Sequence, residues 1–386
     1  MKFDLPQSID FVLDTLNANG YSAYIVGGCV RDLLCGKIPH DYDITTSANP
    51  DAIISLFEKT AATGLKHGTV TVIVGKQQIE VTTFRTENGY SDSRHPDNIQ
   101  FVTNVSDDLS RRDFTVNAMC YNRSEGIIDL FGGKEDIRNK ILRTVGDAKT
   151  RFCEDALRIM RLFRFAATLE FSIEQNTFDT AIESAQLLEN ISAERIFCEL
   201  KKAACGVAPQ AISPILKTSA LKNYCISSGD ITPLQNLENK ESLRTFALLY
   251  SVSNNLEETL KRFKCSNKFK SYCQKMKHFT ENIINSDKIG IKKALAFADT
   301  DTVTDAFFYY RDILKIDITQ KLDILDNILK HGEPYLIRHL DITGDDIMSL
   351  GISGSKIADA LNYLIDEVII NPELNQKEKL IKIINH

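Results

Sequence analysis

The sequence predicts an α+β chain: a mixed portion that ends near residue 146, then helix to the end. Two patterns carry this. Up to residue 146, short apolar or β-branched runs alternate with glycine turns and brief amphipathic stretches. From Phe152 onward apolar residues recur at helical spacing. Size is the third observation, because 386 residues exceed what one hydrophobic core serves and two to four domains are expected.

Residues 7–19 place Ile9, Phe11, Val12 and Leu16 on one helical face and stop at Gly20. Tyr24-Ile25-Val26 reads as a strand. The pair Gly27-Gly28, ahead of the apolar-patterned 30–34, reads as a tight turn into a helix start, whose free N–H groups suit a phosphate. Asp41 and Asp43 stand at i and i+2 in the run 41–44, so in a strand both carboxylates share a face. Two such carboxylates repel unless a cation sits between them. The stretch therefore suggests a phosphate cradle facing a divalent-metal site.

Asn49-Pro50-Asp51 opens a helix over 52–58, and the β-branched runs 69–74 and 78–84 form a hairpin through Gly75-Lys76-Gln77. Glu80 shares a face with Thr82 and Phe84. A lone glutamate in such a strand ordinarily faces solvent, but beside the aspartate pair it is the natural third carboxylate. Residues 86–99, with Tyr90, Arg94, His95 and Pro96, read as a mobile loop, and 99–105 as renewed β structure. From Asp108 to Met119 the pattern is helical and carries a polar cluster, Arg111, Arg112, Asp113 and Asn117, equally readable as a solvated face. A strand at 127–130 leaves through Gly132-Gly133, and 141–145 is extended.

Residues 153–169 are expected as one helix with Ala156, Ile159, Met160, Phe163 and Ala167 on its apolar face. Glu154, Asp155, Arg158 and Arg161 occupy an arc of about 120° opposite, with Arg164 at its edge. Alone, that spacing is a salt-bridge ladder. Three arginines at three-residue steps are nonetheless more cation than such a helix needs. Further helices are expected at 192–204, 241–251, 256–262, 272–285, 302–315, 319–330 and 355–370, with a linker at 227–233.

Net charge −6 and a pI near 5.7 argue against a protein that coats nucleic acid by charge alone, and leave room for a local basic groove. Nine cysteines without a CxxC pair imply reduced thiols and a cytoplasmic protein. The first residues lack the basic and apolar regions of a leader, and no window of 18 apolar residues suggests a membrane span.

Four motifs in order, Gly27-Gly28-Cys29-Val30-Arg31-Asp32, Asp41-Tyr42-Asp43, residues 111–118 (RRDFTVNA) and residues 154–161 (EDALRIMR), resemble the class II tRNA nucleotidyltransferase and bacterial poly(A) polymerase family. Residues 340–347 and 362–367 look like the tail of CCA-adding enzymes. The resemblance implies a polymerase-β-type nucleotidyltransferase head with a small mixed sheet (1–146), then an all-α neck (147–205), body (206–330) and tail (331–386). It implies that Asp41 and Asp43 hold two Mg²⁺ ions with Glu80 as third active-site carboxylate, and that Gly27, Gly28 and Arg31 cradle the triphosphate. Arg112, Asp113 and Asn117 would contact phosphate and ribose. Asp155 and Arg158 would read the pairing edge of cytosine or adenine, with Arg161 and Arg164 left for phosphates.

The implied activity is template-independent addition of CCA to tRNA 3′ ends from CTP and ATP. An A-adding tRNA nucleotidyltransferase of a split CC/A system and a poly(A) polymerase are the alternatives. The latter is disfavoured by the mixed-charge helix at 376–384, where a long basic extension would be expected. Residues 243–251 (LRTFALLYS) contain no His-Asp pair, so no phosphohydrolase activity is expected. The loop with Tyr90, Arg94, His95 and Pro96 resembles the flexible loop needed for terminal A addition. Lys261, Lys264, Lys268 and Lys270, interleaved with Phe263 and Phe269, are candidates for a tRNA surface or for an ordinary solvated face.

Overall fold

The computed structural model describes residues 2–88 and 98–385. Two compact units, 1–229 and 230–386, meet inside the 227–233 stretch.

The first unit opens with α1 (Gln7–Ala18), which buries Ile9, Val12, Leu13 and Leu16. β1 (Ala23–Val26) turns at Gly27 into α2 (Gly28–Leu34), and β2 (Ile44–Thr46) follows. α3 (Pro50–Leu56) is capped by Asn49, whose side chain accepts the Ala52 N–H. β3 (Thr60–Gly64) precedes the hairpin of β4 (Thr69–Val74) and β5 (Gln77–Thr83). β6 (Arg85–Asn88) and β7 (Asn98–Phe101) pair as a separate ribbon. α4 (Val105–Ser110), β8 (Met119–Asn122), β9 (Gly126–Asp129) and α5 (Gly133–Arg138) complete the mixed portion.

The sheet order is β3-β4-β5-β2-β1-β8-β9, antiparallel throughout except for the parallel pair β2/β5. All four residues of β1 are buried because both faces of the sheet are covered. Ala23 and Ile25 join the larger core with α1 and α3, while Tyr24 and Val26 join a smaller one with Phe84, Leu109 and Cys120. The same alternation in β5 sends Ile79 and Val81 into the larger core and leaves Glu80 on the opposite face.

β10 (Ile141–Leu142) pairs in parallel with β11 (Ser172–Ile173), which lies beyond α6 (Ala148–Glu154) and α7 (Leu157–Leu169). α8 (Gln175–Glu183), α9 (Ala193–Ala204) and α10 (Ser213–Leu216) finish this unit. The second unit is helical: α11 (Glu241–Val252), α12 (Leu256–Arg262), α13 (Asn267–Glu281), α14 (Lys288–Phe297), α15 (Thr300–Asp312) and α16 (Thr319–Lys330). Then come α17 (Gly344–Ser349), α18 (Ser355–Ile370) and α19 (Lys377–Asn385), packed around Ile347, Leu364, Val368 and Leu380. Among the described residues no helix is long and apolar enough to cross a membrane.

The expected α+β class with a small mixed sheet followed by helices is what the chain adopts, and several local expectations change. β2 begins at Ile44, not Asp41. Asp43 still engages the sheet, its carbonyl accepting the Val26 N–H at 2.9 Å, whereas Asp41 is placed by the preceding loop. Residues 86–88 and 98–99 belong to the ribbon β6/β7, and Val105 starts a helix; Tyr90, Arg94, His95 and Pro96 lie outside the described residues. The stretch 108–119 is not one helix. The Asp113 carboxylate accepts the N–H of extended Phe114, a single 3-10 turn follows, and Met119 enters a buried strand between β1 and β9.

The helix expected over 153–169 is two, broken at Asp155, where an aspartate's preference for opening a helix overrides the apolar period. β3, an edge strand without a large apolar residue, carries no signal in the sequence. In the second unit Phe263 is buried, so it does not interleave with the exposed Lys261, Lys264 and Lys268 as a surface aromatic.

Gly132 and Gly133 are required for different reasons. Gly132 has φ 77° and open space where a Cβ would project, whereas a Cβ on Gly133 would lie 2.3 Å from the Thr115 carbonyl oxygen. Gly133→Ala is expected to lower unfolding free energy by about 3 kcal/mol through overpacking, and Gly132→Ala by about 1 kcal/mol from the left-handed conformer alone. Urea titrations of the two variants measure the difference.

Candidate active site

The turn after β1 is fixed from both sides. Gly27 has φ 80°, its N–H donates to the Met119 carbonyl at 3.1 Å, and a Cβ there would sit 3.0 Å from Arg112 Nη1. Arg31 is buried: Nε and Nη2 donate to Asp32 Oδ1 at 2.9 and 2.7 Å, and Nη1 donates to Asn117 Oδ1 at 2.7 Å. Asn117 in turn donates from Nδ2 to Asp113 Oδ1 at 3.3 Å. Asp113 Oδ2 accepts Arg161 Nε and Nη2 at 2.8 and 2.6 Å. A continuous chain of side chains thus joins Arg31 to Asn117, Asp113 and Arg161 on α7.

Burial alone would raise the Asp113 carboxyl. The charge and hydrogen bonds of Arg161, with Arg158 and the Phe114 N–H, instead bring it down to about 2. Asp108 plays a parallel part. Fully buried, its Oδ1 accepts Arg111 Nη2 at 2.6 Å and its Oδ2 accepts Arg112 Nη2 at 3.1 Å. Against its desolvation, these arginines hold it below the usual carboxylate range. The spacing of Asp108 to Arg111 and Arg112, i to i+3 and i+4, is the signal that could identify it from sequence.

Asp43 and Glu80 are exposed on the sheet face opposite the larger core, and Asp41 is exposed in the loop that precedes β2. The parallel register Ile44–Val81 brings Asp43 level with Glu80. Although one side of Asp43 opens to solvent, desolvation by the surrounding protein raises its carboxyl, as do the charges of Glu80 and Asp41, while Arg112 opposes them. Among the described residues no three such side chains already converge as metal ligands. The donor chemistry nevertheless fits a hard divalent cation: carboxylate oxygens, with Asp43 and Glu80 level on adjacent strands and Asp41 two residues before Asp43.

At the α6/α7 break, Asp155 Oδ1 accepts the Leu157 N–H at 3.0 Å and Oδ2 accepts Arg195 Nη2 of α9 at 2.9 Å. Arg158 Nη1 pairs with Glu154 and donates to the Arg151 carbonyl at 3.1 Å, and Nη2 donates to the Arg111 carbonyl at 3.1 Å. Arg112, Asp113, Asp155, Arg158, Arg161 and Arg195 line one cavity of about 250 Å³. Arg164 does not line it; its Nε lies 2.6 Å from Glu199 Oε2. The Phe165 ring collects three guanidinium groups, Arg31 at 5.3 Å, Arg161 at 5.5 Å and Arg164 at 3.6 Å, and meets Phe114 edge-on. Arg195, Glu199 and Phe165 are the contributors that sequence reasoning misses: the two ion pairs are 35 and 40 residues apart and follow no helical spacing, and Phe165 reads as one more apolar residue of α7.

Removing Asp113 strands Arg161, which keeps 36% of its side chain open to solvent. Asp113→Ala is therefore expected to cost about 2–4 kcal/mol, somewhat less than a fully desolvated pair, and to be partly restored in the double variant with Arg161→Met. Because the Asp113 carboxyl is depressed in the folded chain, its contribution is present above the unfolded value near 4 and is lost as pH falls toward 2. Wild type should therefore lose about 2 kcal/mol more stability across that window than Asp113→Asn. Denaturant titrations from pH 5 to 2.5 test this.

Two family models match the chain: the poly A polymerase head domain over residues 23–143, and the probable RNA and SrmB-binding site of polymerase A over residues 170–224. The CCA-adding enzyme of Lactococcus lactis subsp. lactis (strain IL1403) is 37% identical over 96% of this chain and 94% of its own length. That of Pediococcus pentosaceus is also 37% identical, over 97% and 96%. Among solved structures, the Bacillus stearothermophilus CCA-adding enzyme in complex with CTP superposes with a TM-score of 0.84 at 29% identity, covering 96% of this chain and 94% of that one. The Thermotoga maritima CCA-adding enzyme complexed with tRNA shares the fold, with a TM-score of 0.65 at 19% identity over 99% and 96%.

Proposed function

The chain belongs to the CCA-adding enzyme family, and from that premise we propose that it adds C, C and A to the 3′ end of tRNA from CTP and ATP, with the residues of the first unit in the following roles. The 3′-hydroxyl of the tRNA attacks the α-phosphorus, a P–O bond forms, and pyrophosphate leaves in line. Gly27, Gly28, Arg31 and Arg112 hold the triphosphate; Arg112 is suited to this because Asp108 fixes its Nη2 while its Nη1 lies against the turn at Gly27. Asp113 and Asn117 set the wall beside the ribose. Asp41 and Asp43, supported by Glu80, are the residues to hold Mg²⁺, which when bound assists ionisation of the attacking hydroxyl and neutralises charge on the leaving group.

Base choice falls to Asp155 and Arg158. A carboxylate only accepts and a guanidinium only donates. Cytosine and adenine each present an amine beside an acceptor nitrogen, whereas uracil and guanine present a carbonyl where the amine would be. The observation that carries this reading is the cavity lined by Asp155, Arg158, Arg112 and Arg161 together. Arg161, on the wall of that cavity, and Arg164, outside it, are left for phosphates. The division of labour follows: residues 1–146 catalyse, 147–205 read the base, and 206–330 and 331–386 grip the tRNA by backbone and shape.

Incubation of the protein and Mg²⁺ with tRNAs ending before CCA, after C and after CC, each NTP offered singly, tests the reading. CTP should serve the first two and ATP the third. Failure to add C anywhere would leave an A-adding enzyme, and A addition without limit a poly(A) polymerase. Asp41→Ala should lower incorporation of every nucleotide by about 10³-fold or more. Arg158→Ala should erode discrimination among NTPs more than triphosphate affinity; equal loss of both contradicts the base-reading role.

A further inference from the structure

Base selection by Asp155 requires that its carboxylate be held in one orientation, and α6 and α7 do not do this by themselves. Asp155 sits at the break between them with extended backbone (φ −138°, ψ 103°), and its own segment restrains only Oδ1, through the Leu157 N–H. A carboxylate held at one oxygen rotates about the Cβ–Cγ bond, a broad and shallow torsion. The second restraint comes from another element. Arg195, in the first turn of α9, donates from Nη2 to Oδ2 at 2.9 Å and lines the same cavity as Asp155 and Arg158. Both partners are largely withdrawn from solvent, at 26% and 19% side-chain exposure, where such a pair is screened less than at the surface.

Resting on the base-reading role given above, we propose that Arg195 is a specificity-determining positioning residue: it locks the Asp155 carboxylate plane so that an oxygen meets the exocyclic amine of cytosine or adenine level with the donors of Arg158. Two hydrogen bonds on different oxygens define the plane of the group. Each oxygen keeps a lone pair for the incoming amine. Arg158 is fixed independently by Glu154 and by the carbonyls of Arg151 and Arg111. The donor half of the reader is thus built by α6 and the α4 turn, and the acceptor half is completed from α9. Without Arg195 the donors stay in place while the acceptor swings, and carbonyl-bearing uracil and guanine meet less repulsion.

The test compares kcat/KM for CTP and UTP on a tRNA ending before CCA, using the full-length chain. Arg195→Met is expected to lower the CTP-over-UTP preference by about tenfold or more, with the KM for tRNA unchanged. Arg195→Lys, which keeps the charge without the fork, and Arg195→Gln, which keeps one donor, should fall between wild type and Met, and either reads the question if Met does not fold. Lys202→Gln, which removes an exposed charge from the last turn of the same helix, should retain the wild-type preference. A wild-type preference in the Arg195 variants, or an equal loss in Lys202→Gln, overturns the inference while leaving the base-reading role standing. A wild-type protein that shows no preference between CTP and UTP overturns both.

Discussion

The ion pair of buried Asp113 with Arg161 is the constraint on which the site of the first unit depends. A charge without a partner in such a place is costly, and each member here is paired, with the carboxylate's remaining oxygen also engaged. Asp113 closes the turn that leads into β8. Through Asn117 the same group reaches Arg31 and the glycine turn after β1. Arg161 lies on α7, one turn beyond Arg158. The distance between the glycine turn after β1 and Arg158 on α7 is thereby set by charged side chains in fixed contact, and α7 cannot shift along its axis without leaving a buried carboxylate unpaired.

That rigidity bears on the base-reading role proposed for Asp155 and Arg158. A nucleic-acid template presents donors and acceptors on a stiff stacked ring. In that proposal the equivalent groups sit on flexible chains, and they must be immobilised by neighbours to discriminate at all. Glu154 and two backbone carbonyls immobilise Arg158; Leu157 and Arg195 do the same for Asp155. The helix break at Asp155 is part of this arrangement, because a carboxylate in mid-helix would lack the exposed N–H of a new helix start.

Much of this is legible in the sequence wherever the signal is local. The turn at Gly27, the hairpin β4/β5 with Glu80 on its open face, and helices such as α12, α16 and α18 follow from glycine placement, period-two alternation and helical periodicity. The polar cluster 111–117 and the carboxylates stand out as residues, but their setting does not. Asp108 is hidden within a run that reads as helix, and β8 disappears into the same run because Met119 to Tyr121 continue an apolar pattern that fits either period. Arg195 and Glu199 are invisible because an ion pair between helices depends on packing angle and not on spacing along the chain. The break at Asp155 is outweighed by an apolar stripe that runs through it.

Phe165 bears on the charge of the whole chain. A net charge of −6 is a poor start for binding a polyphosphate. The ring holds Arg31, Arg161 and Arg164 within 5.5 Å by its quadrupole, which orients cations while contributing no charge. Each of the three already has its anion, Asp32, Asp113 and Glu199 respectively, so the ring serves to gather three ion pairs at one place and not to add charge. The positive excess lies next to them, in a cavity wall where, among the described residues, Arg111, Arg112, Arg158, Arg161 and Arg195 face only Asp113 and Asp155. An acidic protein can in this way keep one positive spot, whose pull on an anion falls with added salt while its geometry does not.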